Sequence, residues 1–412
     1  MPAAHPTSGS HHPSTGAVRA LIRESLPGVT AIRHDIHAHP ELAYNEKRTS
    51  RVVCDELKRL GVEHVGGLAG GTGVLAHIPA TTPEGKARGA VALRADMDAL
   101  PIEEATGAPY ASKTRGIMHA CGHDGHTANL LGVAQVLSKL AHRPNPVTLI
   151  FQPAEEGGAG GKRMCEDGAL DGSKLGPRVS SIFGLHGWPQ YILGDVGSRP
   201  GPLLAATDNF EIEIVGEQAH AAYPHLSRDA VVASAQIITA LQSIASRNAP
   251  PTDCIVVTVA VISGGLARNV IPRSVQFAGT MRTLTPEMRR LGRERFHAIT
   301  SGIAGAMGCV AKIKWEEGYP VTFNDPAMTD RFFRVARATV GDSRVQHVPT
   351  PTMGGEDFSY YGHHVPACFF ILGVRPAGQD TYPGLHQPEY DFNDDALETG
   401  IELMCALALD ES

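Results

Sequence analysis

The sequence predicts an α/β protein built on a mixed sheet, with a second, ferredoxin-like βαββαβ unit inserted into it. Three observations carry that prediction. Short apolar runs at 90–95, 147–151, 181–185 and 367–372 alternate with segments of helical periodicity, the pattern of strands and helices packed in layers. Between 207 and 317 the order becomes strand, helix, strand, strand, helix, strand, the split βαβ arrangement in roughly 110 residues. The stretch Met118-His119-Ala120-Cys121-Gly122-His123-Asp124-Gly125-His126 packs a thiol, three imidazoles and a carboxylate around two glycines, ahead of a helix expected over 127–140.

Taken in order, residues 1–16 are rich in Pro, Ser and His, lack the apolar core of a signal peptide, and read as a flexible tail. Two helical patterns follow between 17 and 60, separated by His34, His37 and His39 just before the helix-breaking Pro40, where a structural role outweighs metal binding. The glycine-rich segment 66–73 has no Lys-Ser/Thr ending and reads as a turn rather than a phosphate loop, with a strand at 74–78 after it. In the inserted unit, strands are expected at 209–215, 254–262, 274–281 and 310–315, and helices at 229–246 and 286–306. The domain boundaries are then 17–206 with 318–412 for the first domain and 207–317 for the satellite.

Composition narrows the function classes. The 412 residues are 42% apolar and 19% charged, ordinary for a globular chain. A net charge of −7 offers no basic stripe for nucleic acid, so small molecules and other protein subunits are the expected partners. Seven scattered cysteines with no C-x-x-C pair argue against a disulfide framework or zinc finger and fit a reducing, cytoplasmic setting. No window reaches the roughly 18 apolar residues of a membrane span.

The candidate site residues stand where strands are expected to end. Cys121 and His123 offer soft and borderline donors that suit zinc or a neighbouring divalent ion better than magnesium or calcium. Strand 90–95 runs into Asp96 and Asp98, charges that need partners if buried. Run 147–151 leads to Glu155-Glu156; adjacent carboxylates diverge, so one can bind metal while the other handles a proton. Run 181–185 delivers His186, and His386 follows strand 367–372 in a loop. Cys121 with a histidine could instead act as a nucleophile, and a chelator separates the two chemistries.

Read together, Arg94–Pro101, His119–His126, Phe151–Gly157, Gly184–His186, His220–His225, Asn269–Pro272, Gly354–Ser359 and Leu385–Tyr390 resemble the co-catalytic two-metal family of aminoacylases, carboxypeptidases, hippurate hydrolases and auxin-conjugate amidohydrolases. The resemblance implies a mixed-sheet, metallopeptidase-like catalytic domain with a satellite domain. It also implies two divalent ions per chain (Zn, Mn, Co or Ni) held by Cys121, His123, Glu156, His186 and His386, with Cys121 bridging. Glu155 would be the general base, with Asp98 behind the ligands. His220, Asn269 and Gly355 would contact substrate. The expected substrate is an N-acyl amino acid, hydrolysed to a carboxylic acid and a free amino acid. The expected assembly is a homodimer or a higher homo-oligomer. A dipeptidase or carboxypeptidase activity, or a non-catalytic metal or ligand binder, is the alternative on the same fold. One local departure, Gly216-Glu217-Gln218-Ala219 before His220, bears on the substrate side chain rather than on the chemistry.

Overall fold

The apolar runs become strands of one mixed eight-stranded sheet in the computed structural model, which describes residues 15–411. Its spatial order is Glu63–Leu68, Gly73–Ile78, Val147–Gln152, Ala90–Asp96, Val179–Ile192, Ala367–Arg375, Val196–Ser198 and Val345–His347. The four strands from Val147–Gln152 to Ala367–Arg375 are mutually parallel, with Ala95 opposite Phe151 and Leu93 opposite Phe183. Strands covered on both faces cannot alternate polar and apolar residues, which is why Ala90–Asp96 and Val147–Gln152 are buried throughout. Helices Thr15–His37, His123–Lys139 and Ala396–Leu409 join the same core. They pack closely: a Cβ on Gly132 would come within 2.4 Å of Ile401 Cδ1.

This sheet and its helices make one compact unit, formed by the described residues up to Gly201, by Asn324–Pro349 and by the described residues from Tyr360 onward. The expected tail falls, up to residue 14, outside the described residues, and the first helix starts at Thr15.

The second unit comprises Pro202–Phe323 and Thr350–Ser359. Its antiparallel sheet runs Ile255–Gly264, Ser274–Thr283, Ala206–Val215, Val310–Glu317, the second, third, first and fourth strands of a βαββαβ unit. Here burial does alternate along Ala206–Val215, and Phe210, Ile212, Phe277 and Phe296 fill a separate core with helices Ala230–Leu241 and Pro286–Ala306. The helices start where local chemistry directs: Asp229 accepts from the N–H groups of Val231 and Val232, and Thr285 accepts from Met288 ahead of Pro286. Residues 350–359 belong to this unit, beyond the span 207–317 read from sequence. Ala205 donates to the Gly354 carbonyl (2.9 Å), and a Cβ on Gly355 would meet Thr207 Cγ2 at 2.3 Å.

Three elements differ from expectation. The helix expected at 127 begins at His123, because Gly122 turns the chain through a left-handed conformation (φ 86°) and so puts His123 in the first helical turn. The run 181–185 continues as strand Val179–Ile192, so His186 stands inside a strand, opposite Ile371. The helix expected over 229–246 ends at Leu241, followed by a single π turn, Ile244–Asn248. No helix among the described residues is long and apolar enough to cross a membrane.

Gly125 sits in the first turn of its helix against the buried ring of Phe392, where a Cβ would lie 2.3 Å from Cγ. Gly125→Ala is expected to destabilise the metal-free protein by about 1–3 kcal/mol, the usual scale of overpacking, read by urea unfolding.

Candidate metal centre

The central strands, the loops that follow them and the start of helix His123–Lys139 bring six of the predicted residues into overlapping groups. Donor atoms of Cys121, His123 and His186 lie within 4.8 Å of one another, as do those of Cys121, Glu156 and His386, and those of His123, Glu155 and Glu156. Cys121 Sγ is 3.3 Å from His186 Nε2, and His386 Nε2 is 3.2 Å from Glu156 Oε1. With bonds of about 2.0–2.3 Å, two donors on one tetrahedral ion stand about 3.5 Å apart, so these spacings fit shared ions.

Hydrogen-bond bookkeeping sorts the histidines. His123 donates from Nδ1 to the Asp98 carbonyl (2.9 Å), and its buried Nε2 has no hydrogen-bond partner. His186 likewise donates from Nδ1 to the Gly187 carbonyl (2.8 Å), leaving Nε2 toward Cys121. Each has one nitrogen oriented and one aimed inward, the arrangement of metal-bound imidazoles. His126 stands nearby with its carboxylate partner Asp96, but both its nitrogens are engaged: Nδ1 donates to Asp96 (2.7 Å) and Nε2 accepts the Gly187 N–H (2.8 Å). His126 therefore holds the strand that carries His186.

Asp98 acts on the backbone. Its two oxygens accept the N–H groups of Glu155 and Glu156, each at 2.9 Å, which fixes the turn from which the paired side chains diverge. His386 adopts a left-handed conformation (φ 65°), and its N–H donates to the Ala120 carbonyl (2.8 Å), tying its loop to the residue before Cys121. Its side chain is half-exposed while the other donors are largely buried.

Charge is distributed accordingly. Burial opposes protonation of His123, but Asp96 and then Asp98 and Glu156 outweigh it and push the imidazole up to about 10. Burial also works against ionised Asp96 and Glu156. His123, Arg94 and His126 nevertheless hold Asp96 well below the usual carboxylate range, and His386, His123 and Cys121 hold Glu156 below it. Burial, aided by His126, holds His186 far below its ordinary value and therefore neutral.

Several residues that shape the site carry no motif that singles them out. Arg33, fully buried, pairs with Asp124 (3.1 Å), Asp391 (2.8 Å) and Asp394 (2.6 Å). His37, between Asp124 (2.9 Å) and Glu104 (3.2 Å), is pushed up to about 10 by Asp124 despite its burial. Arg33 and His37 thus anchor the start of helix His123–Lys139 through Asp124. Only their pairing with distant carboxylates reveals this, and sequence spacing does not carry that information.

His220 and Asn269 lie in the second unit. Strand Ala219–His220 pairs with Val270–Ile271, and Ala221 donates to the Asn269 carbonyl (3.0 Å), so the two residues are neighbours on one short ribbon. His220 is exposed, and its Nδ1 accepts the Ala222 N–H at 3.0 Å, leaving Nε2 as the outward nitrogen. Gly355 lies in this unit too.

Residues 92–410 match the model of the peptidase family M20/M25/M40. The chain belongs to that family. It is 42% identical to an N-acetyl-L-cysteine deacetylase of Bacillus subtilis over 89% of this chain and 84% of the relative. It is 37% identical to the IAA-amino acid hydrolase ILR1-like 4 of Arabidopsis thaliana over 97% and 89%. The crystal structure of the Bacillus subtilis YXEP protein, a dinuclear metal-binding peptidase of family M20, superposes with a TM-score of 0.79 at 34% identity, covering 94% of this chain and 98% of that one. With those hydrolases as relatives and these donor clusters in its fold, the chain is a metal-dependent amidohydrolase that uses divalent metal.

A proton on His123 must leave before Nε2 can bind a metal. Metal affinity of chelated protein should therefore rise about tenfold per pH unit between pH 6 and 8 for each proton released. Titration of zinc against a competing chelator at several pH values checks this, with at least one proton expected.

Proposed function

We propose that this enzyme hydrolyses N-acyl α-amino acids to a carboxylic acid and a free amino acid, with two divalent ions, zinc or manganese among them, bridged by Cys121. The observation that carries the reading is the Glu155-Glu156 pair, held by Asp98 beside the Cys121, His123, His186 and His386 donors. Membership of Cys121 in two donor groups supports a bridging thiolate, with His123 and His186 on one side and Glu156 and His386 on the other. Bound divalent ions supply charge that acidifies a water and polarises the amide carbonyl.

Glu155 then has the part of general base. It takes the proton of the attacking water and returns it to the leaving amine nitrogen, so that one carboxylate serves both halves of the reaction. His220 donates from its outward nitrogen to the developing oxyanion, a contribution of about 10²–10³ in rate for a single donor. Asn269 meets the substrate carboxylate, and Gly355 lets the backbone approach it. Acceptance of both acetyl and aryl-acyl groups, hippurate-like ones included, is part of the proposal. So is a cytoplasmic location, which the seven free cysteines favour.

The 3.3 Å approach of Cys121 and His186 would also allow a nucleophilic thiol. A histidine held far below its ordinary value is a poor acceptor for the thiol proton, and Glu155 and Glu156 would then have no task.

We further propose a homodimer formed through the second unit. Its terminal strand Ile255–Gly264 presents Val261 (59% exposed) and Ile262 (61%), and the following loop presents Leu266 fully to solvent. An unpaired sheet edge with exposed β-branched residues favours pairing with another chain. His220 on the same unit would serve the partner's metals.

Activity on N-acetyl and N-benzoyl amino acids should vanish with a chelator and return with divalent metal. Glu155→Gln should keep its metal and lose at least about 10²-fold in kcat, whereas Glu156→Gln should lose metal affinity. Elemental analysis with kinetics checks both. Mixing inactive Glu155→Gln and His220→Ala chains should restore activity if His220 acts across the dimer; no recovery after demonstrated exchange would place it in its own chain.

A further inference from the structure

A buried carboxylate without a cation is costly, and Glu46 is one. It is fully buried at the start of helix Lys47–Arg59, and it takes part in no ion pair among the described residues. What surrounds it is a set of donors. Oε1 accepts the N–H of Tyr44 (3.0 Å) and the N–H of Ala154 (2.9 Å), and Oε2 accepts the Thr72 hydroxyl (2.8 Å). Both amide donors belong to residues in the left-handed region, Tyr44 at φ 61° and Ala154 at φ 56°, where side chains rarely sit unaided.

Ala154 immediately precedes the paired glutamates. Three consecutive N–H groups, those of Ala154, Glu155 and Glu156, are thus taken by two carboxylates, the first by Glu46 and the next two by Asp98. The segment around Glu46 also grips the far end of the turn: the Tyr44 hydroxyl donates to the Gly158 carbonyl, and a Cβ on Gly158 would meet Ala154 Cβ at 2.6 Å. We infer that Glu46 is a positioning residue that fixes the direction of Glu155 and Glu156 by holding Ala154 in its left-handed turn. The inference rests on the metal-dependent hydrolase reading for what the two glutamates do, though the clamp is a feature of the fold alone.

Burial raises Glu46 to about 6. A folded value above the ordinary 4.5 means that stability is lost as pH rises through that interval, so at neutral pH the charged group costs stability. Glutamine keeps an oxygen in the place of Oε1 without the charge, and its amide can still meet the Thr72 hydroxyl. Aspartate keeps the charge but draws the oxygen back by one methylene. Geometry and charge therefore separate cleanly between the two variants.

The experiment compares Glu46→Gln, Glu46→Asp and Glu46→Ala, each verified as folded by thermal denaturation. Zinc affinity is read by competition with a chromogenic chelator, and kcat and KM on N-acetyl amino acids. Glu46→Gln should stay within about threefold of wild type in both readouts and be no less stable, while Glu46→Asp and Glu46→Ala should lose about 10–100-fold in zinc affinity, with kcat falling more than KM. If Glu46→Ala does not fold, the Asp and Gln variants decide. Wild-type behaviour of Glu46→Asp, or a Gln variant as impaired as the Asp variant, overturns the inference. Should the wild-type protein hydrolyse none of these substrates, the functional reading fails while the zinc titration still tests Glu46.

Discussion

The acceptance of two successive backbone N–H groups by one carboxylate, that of Asp98, is the contact on which the site depends. Two glutamates in sequence can point to different tasks only if the backbone between them is fixed, and Asp98 fixes it at 2.9 Å on both sides. The same residue gives its carbonyl to His123 Nδ1, so one position two residues past strand Ala90–Asp96 orients a proposed metal donor and the proposed base together. Losing either contact would leave a buried carboxylate short of donors, which is more costly than never having placed it there.

A second layer of charge holds the donor-bearing elements to one another. Arg33 reaches Asp124 on the helix that starts with His123, and Asp391 and Asp394 in the segment that follows His386. His37 and Glu104 close the network, and Tyr110 donates to Asp391 at 2.6 Å. Buried ion pairs add little net stability against apolar packing, since desolvation offsets their attraction. Their effect is geometric: four chain segments distant in sequence share one set of charge-assisted bonds, so the helix start at His123 and the segment after His386 cannot drift independently.

How much of this was legible beforehand follows from the kind of signal involved. Strands buried on both faces announce themselves as apolar runs, and the residues just past 95 and 151 could be read as site candidates because charge at such a place needs a reason. The βαββαβ order of the second unit was equally readable, since its period-2 and helical segments are well separated. Helix onset at His123 was not, because a left-handed Gly122 looks the same in sequence as a loop glycine. Nor was the extent of strand Val179–Ile192, which keeps pairing past His186 along Ala367–Arg375. The positioning contacts of Glu46, Arg33 and His37 bridge tens to hundreds of positions, and no local pattern encodes a partner that far away.

The difference between His123 and His126 lies in what their second nitrogens meet. Both are buried, both lie in the first turn of one helix, and both approach Asp96. Burial ranks them equally, and so does proximity to carboxylates. Only the second nitrogen distinguishes them: that of His126 takes the Gly187 N–H, while that of His123 has no hydrogen-bond partner in a site crowded with negative charge. A polar atom left that way is unfavourable for folding by itself. Asp96, 3.8 Å from that nitrogen, favours positive charge there, and the same surroundings suit the divalent ion proposed for it.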